Sequence, residues 1–323
     1  MGKLKLKKNV QKYLIIIVLL VTICIFGISK GVSIYNEKQY KKTYEYKLTN
    51  IGYTKKDANI LEKNLSKKNI DELLKKEKDT FIVDILNEKY YIKKKYNEYI
   101  DFHNKNKDYS SRKIVEYVNN MRNHEFYTDV IETDISKGEL LLTNKYHKLP
   151  DGYVPENLVT INTTYSWGEL GSQKCQKIVY DAFLKMWEDA KKEGHYLMVN
   201  SSYREYEKQN AIFENYKSSR GLEFAENYAA HPGFSEHQTG LSLDIVEKTH
   251  TSRDAFTASD AYIWLQNNAY KYGFIQRYKE SKEDVTGTKL ESWHYRYVGL
   301  EVASYLQDND ITFDEYYAYF LEK

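Results

Sequence analysis

The sequence predicts an α+β domain over residues 139–323, preceded by an apolar N-terminal span and a lysine-rich helical region. Three observations lead there. Apolar residues recur at helical spacing in stretches that end on glycine. Short runs of strand character lie between those stretches. All three prolines (Pro150, Pro155, Pro232) fall after residue 149, where turns are needed. The 323 residues leave room for about two domains.

The first element has the composition of a membrane segment. MGKLKLKKNVQK carries five lysines, and an uncharged run from Tyr13 to Ile28 follows. As a helix that run rises about 24 Å, slightly short of a ~30 Å hydrocarbon core, a gap that Lys12 and Lys30 can close by snorkelling. No A-x-A-like cleavage site follows it, and isoleucine directly before Cys24 is a poor context for lipid attachment. Residues 1–34 are therefore expected to be a cytoplasmic basic tail and a retained signal-anchor, with the remainder outside the cell membrane. Cleavage, the alternative, would export the same remainder as a secreted protein.

Residues 35–138 read as a helical spacer or accessory region. Thr54 and Ser66 are placed as N-caps, ahead of Ile60, Leu61 and Leu65, then Ile70, Leu73 and Leu74, at helical spacing. A wall- or partner-binding role is the functional alternative for this region. Beyond residue 138, GSQKCQKIVYDAFLKMWEDAKKEG predicts a helix with Cys175, Ile178, Val179, Ala182, Phe183, Met186 and Ala190 on one face and Gly194 as its stop. YLMVNS (196–201) reads as a buried strand. LSLDIV (241–246) alternates, with Leu241, Leu243 and Ile245 on one face and Ser242 and Asp244 on the other. SDAYIWLQNNAYKYGF predicts a further helix capped by Ser259 and stopped at Gly273.

Composition narrows the function. A net charge of only +2 speaks against a nucleic-acid binder, and the 32 tyrosines read as background bias. Cys24 and Cys175 make no disulfide framework, so site chemistry falls to His, Asp and Glu. In SEHQTGLSLD, Asp244 points away from the core if Leu243 and Ile245 face it. Gly240 permits a tight turn that folds His237 back toward Asp244. Such an imidazole and carboxylate suit a borderline metal such as zinc, whose catalytic sites take three protein ligands. His294, in ESWHYRY, is the third candidate, and Glu291 is then placed as a general base toward an attacking water. On a continuous strand Glu291 and His294 would face opposite sides, so the chain there must bend or turn.

SEHQTGLSLD followed by ESWHYRY resembles the S-x-H-x-x-G-x-A-x-D and E-x-W-H signatures of the VanY-type D-alanyl-D-alanine carboxypeptidases. LTNKYHKLPDGYVPENLV, SSYREYEKQ, HPGFSEHQTG, YGFIQRY and YVGLEVASYL are similar to that family in the same order, over roughly residues 139–320. The resemblance implies a small antiparallel sheet flanked by helices, with a zinc site on its open face. It implies His237, Asp244 and His294 as ligands of one Zn2+ and Glu291 as the catalytic base. Arg204 is implied at the substrate, where a guanidinium clamps a terminal carboxylate or stabilises a developing oxyanion. Gln209 and Ser235 match polar positions that contact the peptide.

Two positions depart from the pattern. Ser242 stands where alanine is common, and Lys279 stands where proline is usual, which is expected to loosen the loop leading to Glu291. His231 is expected to be structural and Trp293 to pack. The function implied is removal of the terminal D-alanine from peptidoglycan stem peptides. An L,D-carboxypeptidase, an endopeptidase and a non-catalytic zinc-containing wall-binding module are the alternatives. Glu291 argues against the last, because a binder needs no base.

Overall fold

The computed structural model describes residues 8–166 and 173–322. They fall into two compact units, residues 1–94 and 95–323.

The first unit opens with helix α1 (Lys8–Tyr40), whose segment Lys12–Tyr40 is long and apolar enough to cross a membrane. Its 29 residues rise about 43 Å, so the helix continues past Lys30, while the uncharged run is still bounded by Lys12 and Lys30. Short helices α2 (Tyr44–Asn50), α3 (Lys55–Asn64), α4 (Lys67–Leu73) and α5 (Thr80–Leu86) follow. They bury Leu48, Leu61, Ile70 and Ile85. Thr54 caps α3 in a reciprocal box with Asp57, and Ser66 caps α4 through the Asn69 amide, as their sequence positions predict. Each such cap contributes about 1 kcal/mol.

The second unit begins at Lys95, well before the expected boundary at 138. Helices α6 (Tyr96–Lys105) and α7 (Ser111–Asn119) lead into a segment whose partners lie far along the chain. Tyr117 donates to the Asp284 carboxylate at 3.0 Å, and Arg122 Nε donates to the Asp284 carbonyl at 2.7 Å. Phe126 fills the space beside Gly287, where an added Cβ would meet its ring at 2.2 Å. Contacts 160 residues or more away in sequence are invisible to local pattern, which is why this stretch reads as a spacer.

Two small ladders flank the main sheet: β1 (Ile131–Glu132) runs parallel to β2 (His147–Lys148), and β3 (Leu158–Thr160) pairs antiparallel with β4 (Lys174–Gln176). Helix α8 (Lys177–Lys192) starts later than its apolar pattern predicts. Cys175 is fully buried, but on β4 opposite Val159, because the Gln176 amide is drawn to the Gly240 carbonyl at 3.0 Å. Ile178 is exposed, and the buried stripe is Val179, Phe183, Met186 and Ala190. Residues 171 and 172 of the expected helix lie outside the described residues.

The main sheet is antiparallel in the order β5 (Leu197–Ser201), β6 (Ser242–Glu247), β8 (Glu291–Tyr297), β7 (Phe274–Tyr278). Helices α9 (Tyr206–Arg220) and α10 (Leu222–Tyr228) connect β5 to β6, while α11 (Arg253–Thr257) and α12 (Asp260–Asn268) connect β6 to β7. Ser259 caps α12 through the Tyr262 amide, and Gly273 ends the following turn with φ +85°. The short α13 (Glu283–Thr286) precedes β8, and α14 (Leu300–Asn309) and α15 (Phe313–Tyr316) close the chain. Val199, Leu243, Ile245 and Tyr295 are fully buried and join α8 and α12 in the core. Burial of each such side chain is worth about 1.5–3 kcal/mol. The alternating residues Ser242, Asp244, His294 and Arg296 take the opposite face, where the site is built.

Candidate active site

Strand register assembles the site. Asp244 on β6 stands directly opposite His294 on β8, and Ser242 stands opposite Arg296. The bend required between Glu291 and His294 is an irregularity in the β7–β8 pairing. Gln276 faces Tyr295 and Tyr278 faces Glu291, so between these pairs three residues of β8 oppose one of β7. The extra residues turn both side chains to one face, and Glu291 Oε2 lies 3.7 Å from His294 Nδ1. His237 arrives from a 3-10 turn, Glu236–Thr239, ended by Gly240 in the left-handed conformation at φ +66°. A Cβ at Gly240 would also press within 3.0 Å of Leu158. Glycine is therefore required there by both conformation and space.

Three donor atoms converge. His237 Nε2 is 3.3 Å and His294 Nδ1 is 3.1 Å from the same Asp244 oxygen, and all three lie within 4.8 Å of one another. Ligands about 2.0 Å from a tetrahedral ion stand about 3.3 Å apart, so the separations to Asp244 suit zinc. The far side of each imidazole is already committed. His237 Nδ1 is 2.8 Å from the Ser202 carbonyl and donates to it, which leaves Nε2 with a free lone pair. His294 Nε2 is 3.2 Å from Glu236 Oε2 and donates there, which leaves Nδ1 free. Both rings are thus held in the tautomer a metal ligand needs. The residues present fit the ion.

Glu236 carries no role in the sequence reading, and the structure places it at the centre of a sealed charge network. Its Oε1 accepts from Arg277 Nε at 2.8 Å and Arg296 Nη1 at 3.1 Å. Its Oε2 accepts from Ser242 Oγ at 3.3 Å as well as from His294. Arg277 continues to Asp314 on α15 through a two-pronged pair at 2.5 and 3.1 Å, and Asn144 donates to that same carboxylate at 2.7 Å. Burial alone would raise the Glu236 carboxyl, but the two guanidiniums outweigh it and hold it well below the usual range. Ser242, a departure from the family pattern, supplies one of its donors. The signal available in sequence was an acidic residue directly beside a candidate ligand.

The open side is a cleft of about 320 Å³. Arg204, Gln209, Ser235, His237, Asp244, Glu291 and His294 all line it, so every sequence-derived site residue is brought to one place. Arg204 Nη1 donates to Gln209 Oε1 at 2.7 Å and Nη2 to Ser201 Oγ at 2.9 Å. Gln209 Nε2 donates to the Ala230 carbonyl, so both ends of its amide are engaged by the protein. Gln209 therefore holds Arg204 in place, a role its position in the motif did not specify. Burial raises the Glu291 carboxyl to about 7, with His294 opposing and Asp244 adding to the shift. Asp244 is held below the usual range: burial acts against it, and the two histidines prevail.

Neighbouring residues take structural places. His231 stacks on Tyr127 with ring centroids 3.8 Å apart, and Trp293 packs under the Arg253 guanidinium at 4.1 Å. Lys279, in the family's proline position, reaches Asp310 at 3.7 Å.

The comparisons with known proteins bear on this constellation. A family model described as VanY, D-alanyl-D-alanine carboxypeptidase, matches residues 172–300. YodJ of Bacillus subtilis (strain 168), named as a carboxypeptidase, is 43% identical over 181 residues, spanning 55% of this chain and 66% of its own length. That share is just under two thirds of the relative. A D-alanyl-D-alanine carboxypeptidase of Enterococcus faecalis (strain ATCC 700802 / V583) is 34% identical over 193 residues, spanning 57% of this chain and 67% of its own. Among solved structures, the LdcB LD-carboxypeptidase is similar with a TM-score of 0.56 at 40% identity, covering 59% of this chain and 91% of its own. Together with the placement of the two motifs around one cleft, these matches show that the chain belongs to the VanY family of D-alanyl-D-alanine carboxypeptidases.

Proposed function

We propose that the second unit removes the terminal D-alanine from peptidoglycan stem peptides by hydrolysis, using one Zn2+ held by His237, Asp244 and His294. The observation that carries this reading is the meeting in one cleft of three converging donor atoms, a buried carboxyl and a guanidinium that pairs with no carboxylate among the described residues. Zinc bound there would supply Lewis acidity toward the scissile carbonyl and a lowered pKa for water. Arg204, fixed by Gln209 and Ser201, keeps N–H groups for the terminal carboxylate and sets the scissile bond against Glu291. Glu291, poised near 7, takes a proton from the attacking water as the new C–O bond forms. It then passes that proton to the departing amine as the C–N bond breaks, so that one water is consumed per D-alanine released. Ser235 lines the peptide's path.

The basic residues ahead of α1 favour a cytoplasmic N-terminus, with the catalytic unit on the outer side of the membrane, where peptidoglycan lies. Residues 35–94 then serve as a spacer or accessory module. L,D-specificity is the second reading, favoured by the likeness to the LD-carboxypeptidase. The test is mass spectrometry of a stem pentapeptide and a stem tetrapeptide incubated with the full chain in detergent, with zinc or with chelator. Loss of one alanine from the pentapeptide, abolished by chelator, is the expected result. Trimming of the tetrapeptide alone moves the specificity to L,D, and cleavage of neither contradicts the proposal.

A further inference from the structure

The cleft contains a second buried cation that the reaction leaves unused. Lys145 lines it, is 9% exposed, and spends one of its three N–H donors on the Glu226 carbonyl at 3.0 Å. Its Nζ also lies 4.4 Å from the centroid of Phe126, a ring shared with the Arg122 guanidinium at 4.4 Å. Among the described residues neither cation pairs with a carboxylate. The Glu226 carboxylate turns instead toward His231 at 3.7 Å, and the Asp284 carboxylate toward Tyr117 and Lys113. Burial pushes the Lys145 ammonium down to about 8, with Arg122 adding to the shift and Glu226 opposing it too weakly to restore the ordinary value. Elsewhere in this unit buried cations are matched: Arg277 has Glu236 and Asp314, and Arg296 has Glu236. Lys145 is the exception among them, and it lines the cleft together with the half-buried Arg204. An ammonium left unmatched in a cleft is completed by an anion that comes and goes.

We propose that Lys145 is a second anion subsite, receiving a substrate carboxylate upstream of the scissile bond while Arg204 receives the terminal one. The proposal rests on the stem-peptide reading given above and adds to it a requirement for charge two or three residues before the cut. Stem peptides offer two such groups. One is the free α-carboxylate of a γ-linked glutamate at the second position, and the other is the side-chain carboxylate of a diaminopimelate at the third.

Four pentapeptides separate them: glutamate or its α-carboxamide at position two, combined with diaminopimelate or lysine at position three. Release of D-alanine is measured for the full chain, Lys145→Met and Lys145→Arg, and peptide Kd is measured by calorimetry on each in a Glu291→Gln background. The unaltered protein is expected to prefer one carboxylate over its neutral counterpart by about tenfold or more. Lys145→Met is expected to erase that preference to within about twofold, leave the doubly neutral peptide within about threefold, and be partly rescued by arginine. An equal loss on all four peptides, which a merely structural lysine would give, overturns the proposal. So does a preference that survives Lys145→Met, or no preference at all. If no peptide is hydrolysed, the carboxypeptidase reading fails, while the Kd ratios still decide Lys145.

Discussion

Behind His294, Glu236, Arg277, Arg296 and Asp314 complete one another's charges inside the protein, whereas in front of it Arg204 and Lys145 have no carboxylate among the described residues. Both regions bury ionised groups, and burial is costly in both. The rear network offsets that cost with fixed partners, so its work is structural: it holds the His294 ring and ties α15 to the sheet. In the cleft Asp244 and Glu291 attract Arg204, and Glu226 attracts Lys145, without pairing, so the cost is offset less completely there, as suits groups that meet a ligand. Charge pairing therefore separates the scaffold from the working surface more clearly than burial does.

Substitutions should show that asymmetry, and the largest effect belongs to the rear. Arg277→Met leaves Glu236 and Asp314 without their shared partner and should destabilise the fold by about 3–5 kcal/mol. For a unit of this size that is roughly a 10 °C fall in Tm, read by calorimetry. Loss of less than about 1 kcal/mol would mean the network is not sealed.

In the cleft the sign reverses for Glu291. Its folded-state pKa of about 7 lies above the ordinary 4.5, so below pH 4.5 the carboxyl is protonated folded and unfolded and contributes nothing. As pH rises through 7 the unfolded state has already ionised, and the folded state is penalised by about 3 kcal/mol. In metal-free protein Glu291→Gln should therefore raise stability by that order at pH 8 and by nothing near pH 4. Denaturant titrations at the two pH values check this, and equal stability of the two proteins at pH 8 would contradict it.

Glu236→Gln keeps the shape but removes the charge behind His294, and should weaken zinc affinity by about 10–100-fold in chelator competition. An unchanged affinity would detach the network from the metal site. The smallest effect is expected from Arg204→Lys. A point charge cannot repeat the two-pronged contact, so kcat/KM should fall by about tenfold while Tm stays within a few degrees. A large fall in Tm would place Arg204 with the rear group instead.

The candidate ligands and Glu291 could be suggested from local sequence, whereas Arg204, Gln209 and Ser235 entered only through the family resemblance. Alternation of Leu243 and Ile245 points Asp244 outward, Gly240 supplies the left-handed turn, and the short spacing from Glu291 to His294 demands a bend. What sequence reading missed is long-range. Glu236 meets Arg277 and Arg296, 41 and 60 residues away, and its place beside His237 is the one local mark it carries. The start of α8 was displaced for a similar reason, since pairing of Cys175 with Val159 overrides an apolar period that continues unbroken. Residues 95–138 looked detached because Tyr117, Arg122 and Phe126 find their partners only around Asp284 and Gly287.

In the proposed reaction Glu291 acts on the substrate's reacting bond, within a site that binds the peptide without it. Turnover and equilibrium binding of the same stem pentapeptide, compared between the zinc-loaded unaltered protein and Glu291→Gln, address that claim together. A fall in turnover of about 10³-fold or more, with Kd within about threefold, is the predicted result. Turnover that survives the substitution, or binding that disappears with it, would contradict the account.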